Sequence, residues 1–522
     1  MKKALSLLLS LCLLVGVPLS GLAQVSTEGF PIVEEPITLT GFATAGPYTK
    51  GDFNDLKIWA AMEALTNVKI NFESAPSAQS LEKLGLLFAA NTLPDIIFKT
   101  PITNANITNY AAEGQLVAID GLMETYSPNF YAMMQETPEI LKAVTMADGH
   151  IYGYPYIVTA APSSVSPKLF YNAKWAQQAG FEPAATLDEL TEQLRAFKTS
   201  DWNGNGAADE IPLTSQTLAV LLNAFYGSFG LLTRGGSSTS WDIDADGALR
   251  FVPAADGYKQ LLQYLNGLYT EGLLDQEIFT SELPIFQAKA AQNQIGFGFV
   301  HNNNYMDAYK DDFLGLPAPL TGPNGDKLYG GVTLPILGGN TFVTSSCKYP
   351  EAAVRYIDYF YGQEGITLYF MGIEGETFEF DQAGNPQFTD FVKANPDGMS
   401  MEEALGTFVC WSGGSNPSVA DDLHFGVHLI PEITVTAALN LKAFGPEIIW
   451  PADFTYTEAE NERLVDLRLD LNNYINDMRA KYVSGSESLD TWDTYIDTLQ
   501  RMGLDDYRAI VQAAMERYDA IQ

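Results

Sequence analysis

Thr66-Asn67-Val68-Lys69-Ile70-Asn71-Phe72 closes a helix and opens a strand in one short run. Upstream, from Phe53 to Leu65, apolar side chains recur at helical spacing; downstream, Val68, Ile70 and Phe72 alternate onto one face, the period-two pattern of a strand. Ile37 to Phe42 alternates in the same way ahead of that helix. Beyond it, Ser80 is placed to cap a helix carrying Leu81, Leu84 and Phe88, before Leu93-Pro94-Asp95-Ile96-Ile97-Phe98. Strand, helix, strand, helix, strand predicts an α/β fold: a largely parallel sheet with helices on both faces, whose ligands bind beyond the carboxyl ends of its strands.

A second α/β series comes next. Asp148-Gly149 turns into the aromatic strand around Tyr152-Gly153-Tyr154-Pro155, and Thr186 with Glu189 reads as a capping box for a helix bearing Leu187, Leu190, Leu194 and Phe197. A helix from Tyr258 to Tyr269 ends at Gly272 as its C-cap, Gln294 to Val300 reads as a buried strand, and Thr341 to Tyr361 as a strand and a helix starting at Pro350-Glu351. The chain then turns mainly helical. Thr457 and Glu460 form another capping box, and Leu464, Leu467, Leu471, Ile475 and Met478 make a core stripe that Trp492, Tyr495, Ile496 and Leu499 and then Tyr507, Val511 and Ala514 continue past Gly503.

Across 522 residues, Lys and Arg number 29 against 64 Asp and Glu, a formal net charge of -35. Such a surface repels nucleic acid and anionic headgroups and keeps company with hard cations. Lys2 and Lys3, the apolar run from Ala4 to Val17 and small residues up to Ala23 read as an export signal over residues 1–23, leaving Cys347 and Cys410 as one bridge or two free thiols. Lipid attachment at Cys12 is the lesser alternative, because the apolar run continues past it. The mature protein is expected outside the cytoplasmic membrane, periplasmic or extracellular, as a monomer.

Asp201-Trp202-Asn203-Gly204-Asn205-Gly206-Ala207-Ala208-Asp209-Glu210 has the alternating oxygen ligands and following glycine of the first half of an EF-hand calcium loop. Its twelfth position is Pro212, so Glu210 has to close the shell; the other reading is a plain Asx-Gly turn from helix to strand. The acidic run Asp242 to Gly247 has Arg250 and Pro253 at its ninth and twelfth positions and reads as a hairpin turn. His424 and His428 have zinc-helix spacing, but Phe425 stands where the base Glu belongs.

Several short stretches, in order along the chain, resemble the extracellular solute-binding proteins of ABC importers, in particular the large carbohydrate-type members: Thr66-Asn67-Val68, Leu93-Pro94-Asp95-Ile96, Gly114-Gln115-Leu116-Val117, Tyr152-Gly153-Tyr154-Pro155, the loop at Asp201, Tyr269-Thr270-Glu271-Gly272-Leu273-Leu274-Asp275, Pro350-Glu351-Ala352-Ala353, Gly372-Ile373-Glu374-Gly375 and Met502-Gly503-Leu504. The resemblance implies a periplasmic-binding-protein-like fold with a hinge and a helical C-terminal region: one lobe from 34–157 plus 300–362, the other from 158–299 plus 363–522. It implies closure over an oligosaccharide that is left intact and handed to a membrane permease. Alginate-oligosaccharide binders of this kind carry a similar calcium loop, which maps onto Asp201, Asn203, Asn205, the Ala207 carbonyl, Asp209 and Glu210; Trp202 departs from the usual Pro.

Sugar faces stack on flat aromatics, and amides and charged groups take the hydroxyls. Residues that come after strands supply the candidate cleft: Phe42, Lys99, Tyr154, Asn302, Asn303 and Trp411, the last preceding the loop Ser412-Gly413-Gly414-Ser415. The competing readings are a secreted glycan-degrading enzyme and a peptide-binding importer subunit.

Overall fold

The computed structural model describes residues 24–234, 240–244, 246–334, 336–426 and 430–521; the export segment over 1–23 and His428 lie outside them. Two sheets organise the chain. The first has six strands, in spatial order Val68–Pro76, Ile37–Ala45, Ile96–Phe98, Ile336–Val343, Gly153–Val158 and Val419–Ala420; the second has four, Ile211–Ser215, Ile295–Val300, Lys168–Asn172 and Phe313–Gly315.

Period-two alternation puts the two sides of the first sheet against different helices. Leu39, Val68, Ile70, Phe72, Ile96 and Phe98 pack with Ile58 and Met62 of the helix Lys57–Thr66, while Phe42 and Ile97 pack with Leu84 and Phe88 of the helix Ser77–Ala89. Asn67 ends the first of these helices at φ +57°, a left-handed conformation that Asn tolerates, and its carbonyl takes the Ile37 N–H, so the helix stop and the strand start share one residue. The second helix begins at Ser77, after Pro76, and not at Ser80, whose hydroxyl bonds back to the Ser77 carbonyl; Leu81 faces solvent.

Within each sheet one strand is reversed. Ile336–Val343 runs antiparallel to both neighbours in the first sheet, and Lys168–Asn172 does so in the second; the remaining strands of each sheet share one direction. Connectivity gives the reason. The chain leaves the carboxyl end of Gly153–Val158 to enter the second sheet at Lys168, and leaves the carboxyl end of Phe313–Gly315 to re-enter the first at Ile336. A strand entered across a carboxyl edge has to run backwards, so both reversals arise from carboxyl edges that meet.

Sheet membership also redraws the expected lobes. Phe313–Gly315 pairs with Lys168–Asn172, so the 300–362 stretch is split between the sheets. Val419–Ala420 pairs in parallel with Ile157 and Val158, and Ile366, Tyr369, Phe370 and Cys410 join the first lobe's core, so that lobe regains much of the chain beyond residue 363 before the third crossing, which runs from Val419–Ala420 to the helix Glu458–Ser484. The helices Glu458–Ser484, Trp492–Arg501 and Leu504–Ala520 complete the second lobe's core through the predicted stripes. Thr457 and Glu460 form the full capping box; at Thr186 the hydroxyl caps the helix, but the Glu189 carboxylate takes the Ala185 N–H. Among the described residues, Cys347 and Cys410 form no bridge and are free thiols.

The crossings are tied to one another. Val165 of the first pairs with Val332 of the second, the Thr333 N–H donates to the Ser164 carbonyl at 2.9 Å, and the Ser166 N–H donates to the Gly331 carbonyl at 2.8 Å. Val165, Tyr329, Val332, Ala438 and Leu441, contributed by all three crossings, form a small core of their own.

Candidate functional site

A cavity of about 370 Å³ lies where the crossings meet. Ser163 and Ser166 of the first crossing, Gly330, Gly331 and Thr333 of the second, and Ile430 and Thr434 of the third all line it. The second lobe adds Asn223, from the helix Leu218–Phe225 that comes after the strand Ile211–Ser215, and His301 and Asn302, which come directly after the strand Ile295–Val300. These are carboxyl-edge positions, where the α/β reading puts a ligand.

His301 is exposed, with Nδ1 2.9 Å from Ser166 Oγ; partial burial first, and the nearby Lys168 charge second, hold its pKa below the usual imidazole value. Lys168 is fully buried and donates from Nζ to the Pro162 carbonyl at 2.9 Å and the Val165 carbonyl at 2.7 Å. Burial pushes its pKa down to about 7. The second lobe thus grips the first crossing through the Lys168 side chain, whose hydrogen bonds among the described residues go to carbonyls alone.

Of the six predicted cleft residues, Asn302 lines the cavity, with its side-chain oxygen accepting the Asn304 N–H at 2.9 Å. Asn303, one residue on, is wholly buried and spends its amide on the Thr434 hydroxyl at 2.7 Å and the Lys310 carbonyl at 3.1 Å. Phe42 and Tyr154 are also corrected: both are fully buried, Phe42 between sheet and helix and Tyr154 with its hydroxyl on Ser127 Oγ at 2.9 Å, which withdraws them from any ligand surface. Trp411 is half-buried at the carboxyl edge of the first sheet, where its side chain packs so closely on Gly46 and Gly413 that a Cβ there would meet it at 2.4 and 2.2 Å. Lys99 is 3% exposed and donates into the Trp411 loop, so it supports that surface from beneath and does not line it. Asn223, His301 and Thr434 escape the sequence reading; the one signal toward the site is the small, Pro-bracketed run Pro162-Ser163-Ser164-Val165-Ser166-Pro167, whose composition suits a crossing segment.

The acidic loop joins the helix Leu187–Lys198 to the strand Ile211–Ser215. Asp201 draws it into a ring: its carboxylate accepts the N–H groups of Gly204 at 2.8 Å, Asn205 at 3.1 Å and Gly206 at 2.9 Å. Gly204 and Gly206 both sit at positive φ, +74° and +85°, as so tight a curl requires. Asp209 accepts the amides of Asn203, Asn205 and Gln294, and the Gln294 bond is the main cause of its lowered pKa. Glu210 Oε1 takes the Trp202 N–H at 2.7 Å, while its Oε2 is buried without a partner among the described residues. Trp202 packs on the core through Phe197 and donates from Nε1 to the Ala196 carbonyl at 3.2 Å, anchoring the loop where Pro was expected. The acidic run at Asp242 is the hairpin the sequence predicts, its strands Trp241–Ile243 and Leu249–Phe251 paired antiparallel and Asp242 neutralised by Arg234 and Arg250. His424 is wholly buried, with Nδ1 2.8 Å from Asp421 Oδ1 and Nε2 3.0 Å from Thr367 Oγ1.

Comparison with known proteins gives a consistent picture. The chain is 27% identical over 508 residues to the fructooligosaccharide ABC transporter substrate-binding protein FusA of Streptococcus pneumoniae, covering 94% of this chain and 92% of FusA. It is 24% identical over 459 residues to the polygalacturonan/rhamnogalacturonan-binding protein YtcQ of Bacillus subtilis, covering 85% and 84% of the two chains. The structure of FusA in complex with kestose superposes with a TM-score of 0.74 at 25% identity, over 93% of this chain and all of FusA, and an EF-hand mutant of FusA in complex with fructo-nystose gives the same values. The sequence pattern of the bacterial extracellular solute-binding proteins matches residues 57–376, more than half the chain. Two α/β lobes joined by three crossings, and this match, place the protein among the bacterial extracellular solute-binding proteins.

Proposed function

We propose that the protein captures an oligosaccharide between its lobes, closes over it by bending at the three crossings, and presents it intact to the permease of an ABC importer. The observation that carries this reading is the cavity at the crossings: any change in the angle between the lobes acts on Ser166, Thr333 and Thr434 directly, so a guest bridging them is linked to closure. Its polar side chains are hydroxyls, amides and an imidazole, groups that hydrogen-bond sugar hydroxyls and leave glycosidic bonds untouched. Trp411, half-buried after the strands of the first sheet, is the flat ring this reading assigns to a pyranose or furanose face. FusA and YtcQ, both similar over most of their length, bind oligo- or polysaccharides by name.

The acidic loop is part of the reading. Asp201, Asn203, Asn205, the Ala207 carbonyl, Asp209 and Glu210 are hard oxygen donors of the kind calcium takes, and the unpartnered, buried Glu210 Oε2 is the group whose desolvation a cation would offset. Calcium there would be structural, fixing the turn between helix and strand. FusA, similar over nearly the whole chain, has an EF-hand by the name of its mutant.

Isothermal titration against a panel of neutral oligosaccharides, uronic-acid oligosaccharides and peptides, with chromatography of the recovered guest, tests the proposal. Stoichiometric binding of an unchanged saccharide is expected. Turnover of the saccharide would make the protein a glycan-degrading enzyme, and binding confined to peptides would make it a peptide-importer subunit.

A further inference from the structure

We infer that Lys99 is a positioning residue for capture: from inside the first lobe its side chain holds Trp411 as a preformed stacking shelf. The consequence for binding rests on the capture reading; the placement of the ring does not.

Among the described residues Trp411 Nε1 is buried without a hydrogen-bond partner, so none of them fixes the ring through its own polar group. Shape and the surrounding loop have to fix it. Gly46 and Gly413 provide the shape, since neither has a Cβ to keep the ring away. Lys99 provides the loop: Nζ donates to the Gly413 carbonyl at 2.9 Å and to Asn416 Oδ1 at 2.6 Å and stands 5.7 Å from the Trp411 ring centroid. Asn416 passes the restraint on, its amide donating to the Ser412 carbonyl at 2.6 Å and the Gly414 carbonyl at 3.1 Å, and its oxygen accepting the Tyr369 hydroxyl at 2.8 Å. One ammonium therefore reaches each residue from Ser412 to Gly414 directly or through Asn416. Its own backbone is costly to place: Lys99 sits at φ +52°, a region a long side chain rarely adopts, with its N–H on Thr341 Oγ1 at 3.2 Å. Burying an ammonium against a carbonyl and an amide is expensive, and a plain loop anchor has no need of the charge.

The groups facing Lys99 separate its titration from theirs. Burial lowers Lys99 to about 8, with Cys410 opposing. Burial pushes the Cys410 thiol up to about 12, the Tyr156 phenol of the strand Gly153–Val158 up to about 12, and the Tyr369 phenol of the helix Gln363–Met371 well above its ordinary value. Thr341 and Asn416 do not titrate. Between pH 7 and 9, Lys99 is the one group of this set that changes charge.

The whole chain carries seven tryptophans, and labelling with 5-fluorotryptophan gives each a fluorine resonance, Trp411 being identified by its loss in Trp411→Phe. The Trp411 resonance is expected to step with pH around 8 in the unmodified protein while the other resonances stay flat, and to shift and lose that step in Lys99→Met. Kestose affinity is expected to fall at least tenfold in Lys99→Met, with no further loss when Lys99→Met is added to Trp411→Ala. A Trp411 resonance indifferent both to pH and to Lys99→Met would overturn the inference, as would additive losses in the double variant. Should Lys99→Met not fold, the pH titration of the unmodified protein decides alone. Absence of kestose binding by the unmodified protein bears on the sugar, and the resonance still decides Lys99.

Discussion

Lys168 Nζ and the Val165 carbonyl stand 2.7 Å apart, a bond that ties the second lobe's reversed strand to the first crossing. The ammonium is fully buried, and its pKa is lowered to about 7 against an ordinary value near 10.5. Between these values the unfolded chain binds the proton and the folded chain does not, so this group makes stability rise with pH through that window. Lys168→Met removes the dependence and leaves the Pro162 and Val165 carbonyls without this donor. The unfolding free energy of the unmodified protein, relative to Lys168→Met and taken from denaturant melts, is expected to climb from pH 7 to pH 10, by at most about 1.4 kcal/mol per pH unit. A difference constant across that range would show that Lys168 does not titrate there.

Gly413 lies flat against the Trp411 ring, and a Cβ added to it would meet Cζ2 at 2.2 Å. The ring, half-buried and without a hydrogen bond of its own among the described residues, is the partner that yields. Gly413→Ala is expected to cut affinity for the captured saccharide at least tenfold and to move the melting temperature by only about one or two degrees, because few core contacts are lost. Titration calorimetry beside a thermal melt checks this, and an unchanged affinity would remove Trp411 from the site.

The α/β order was legible because alternation and capping are local. Val68, Ile70 and Phe72 share a face in the sequence and in the sheet, and Asn67 carries its own stop signal. The site was less legible because long-range partners decide it. Asn302 and Asn303 are chemically identical neighbours, and what buries the second is Thr434, 131 positions away. Tyr154 lies in a strand buried throughout, and Phe42 sits where the alternation at the start of Ile37–Ala45 gives way to burial on both faces, so polar alternation marks neither aromatic as core. Val419–Ala420 is too short to read as a strand; its pairing with Ile157 and Val158 makes it one.

Phe42 offers a direct check on that division between core and cleft. It is wholly buried among Ala75, Leu84, Phe88 and Ile97. Phe42→Ala should therefore destabilise the fold by about 3–5 kcal/mol, while the folded fraction keeps its affinity. Denaturant melts with binding measured below the transition separate the two effects; a specific loss of affinity at unchanged stability would return Phe42 to the ligand surface.

Calcium addresses the one buried carboxylate oxygen of the acidic loop that has no hydrogen-bond partner among the described residues. Glu210 Oε1 is held by the Trp202 N–H and Oε2 has no partner, so a cation held there stabilises the folded chain against the unfolded one in proportion to how far its concentration exceeds its dissociation constant. At a hundredfold excess the gain is about 2.7 kcal/mol, which in a chain of this size is a rise of a few degrees in melting temperature. EDTA is expected to reverse that rise, and magnesium, which keeps its waters and demands a tighter octahedron, to replace calcium poorly. Glu210→Gln is expected to abolish the calcium response while leaving the calcium-free melting temperature nearly unchanged, since the amide oxygen still accepts the Trp202 N–H. A melting curve unmoved by EDTA, with no calcium found by elemental analysis, would return the loop to the plain Asx-Gly turn.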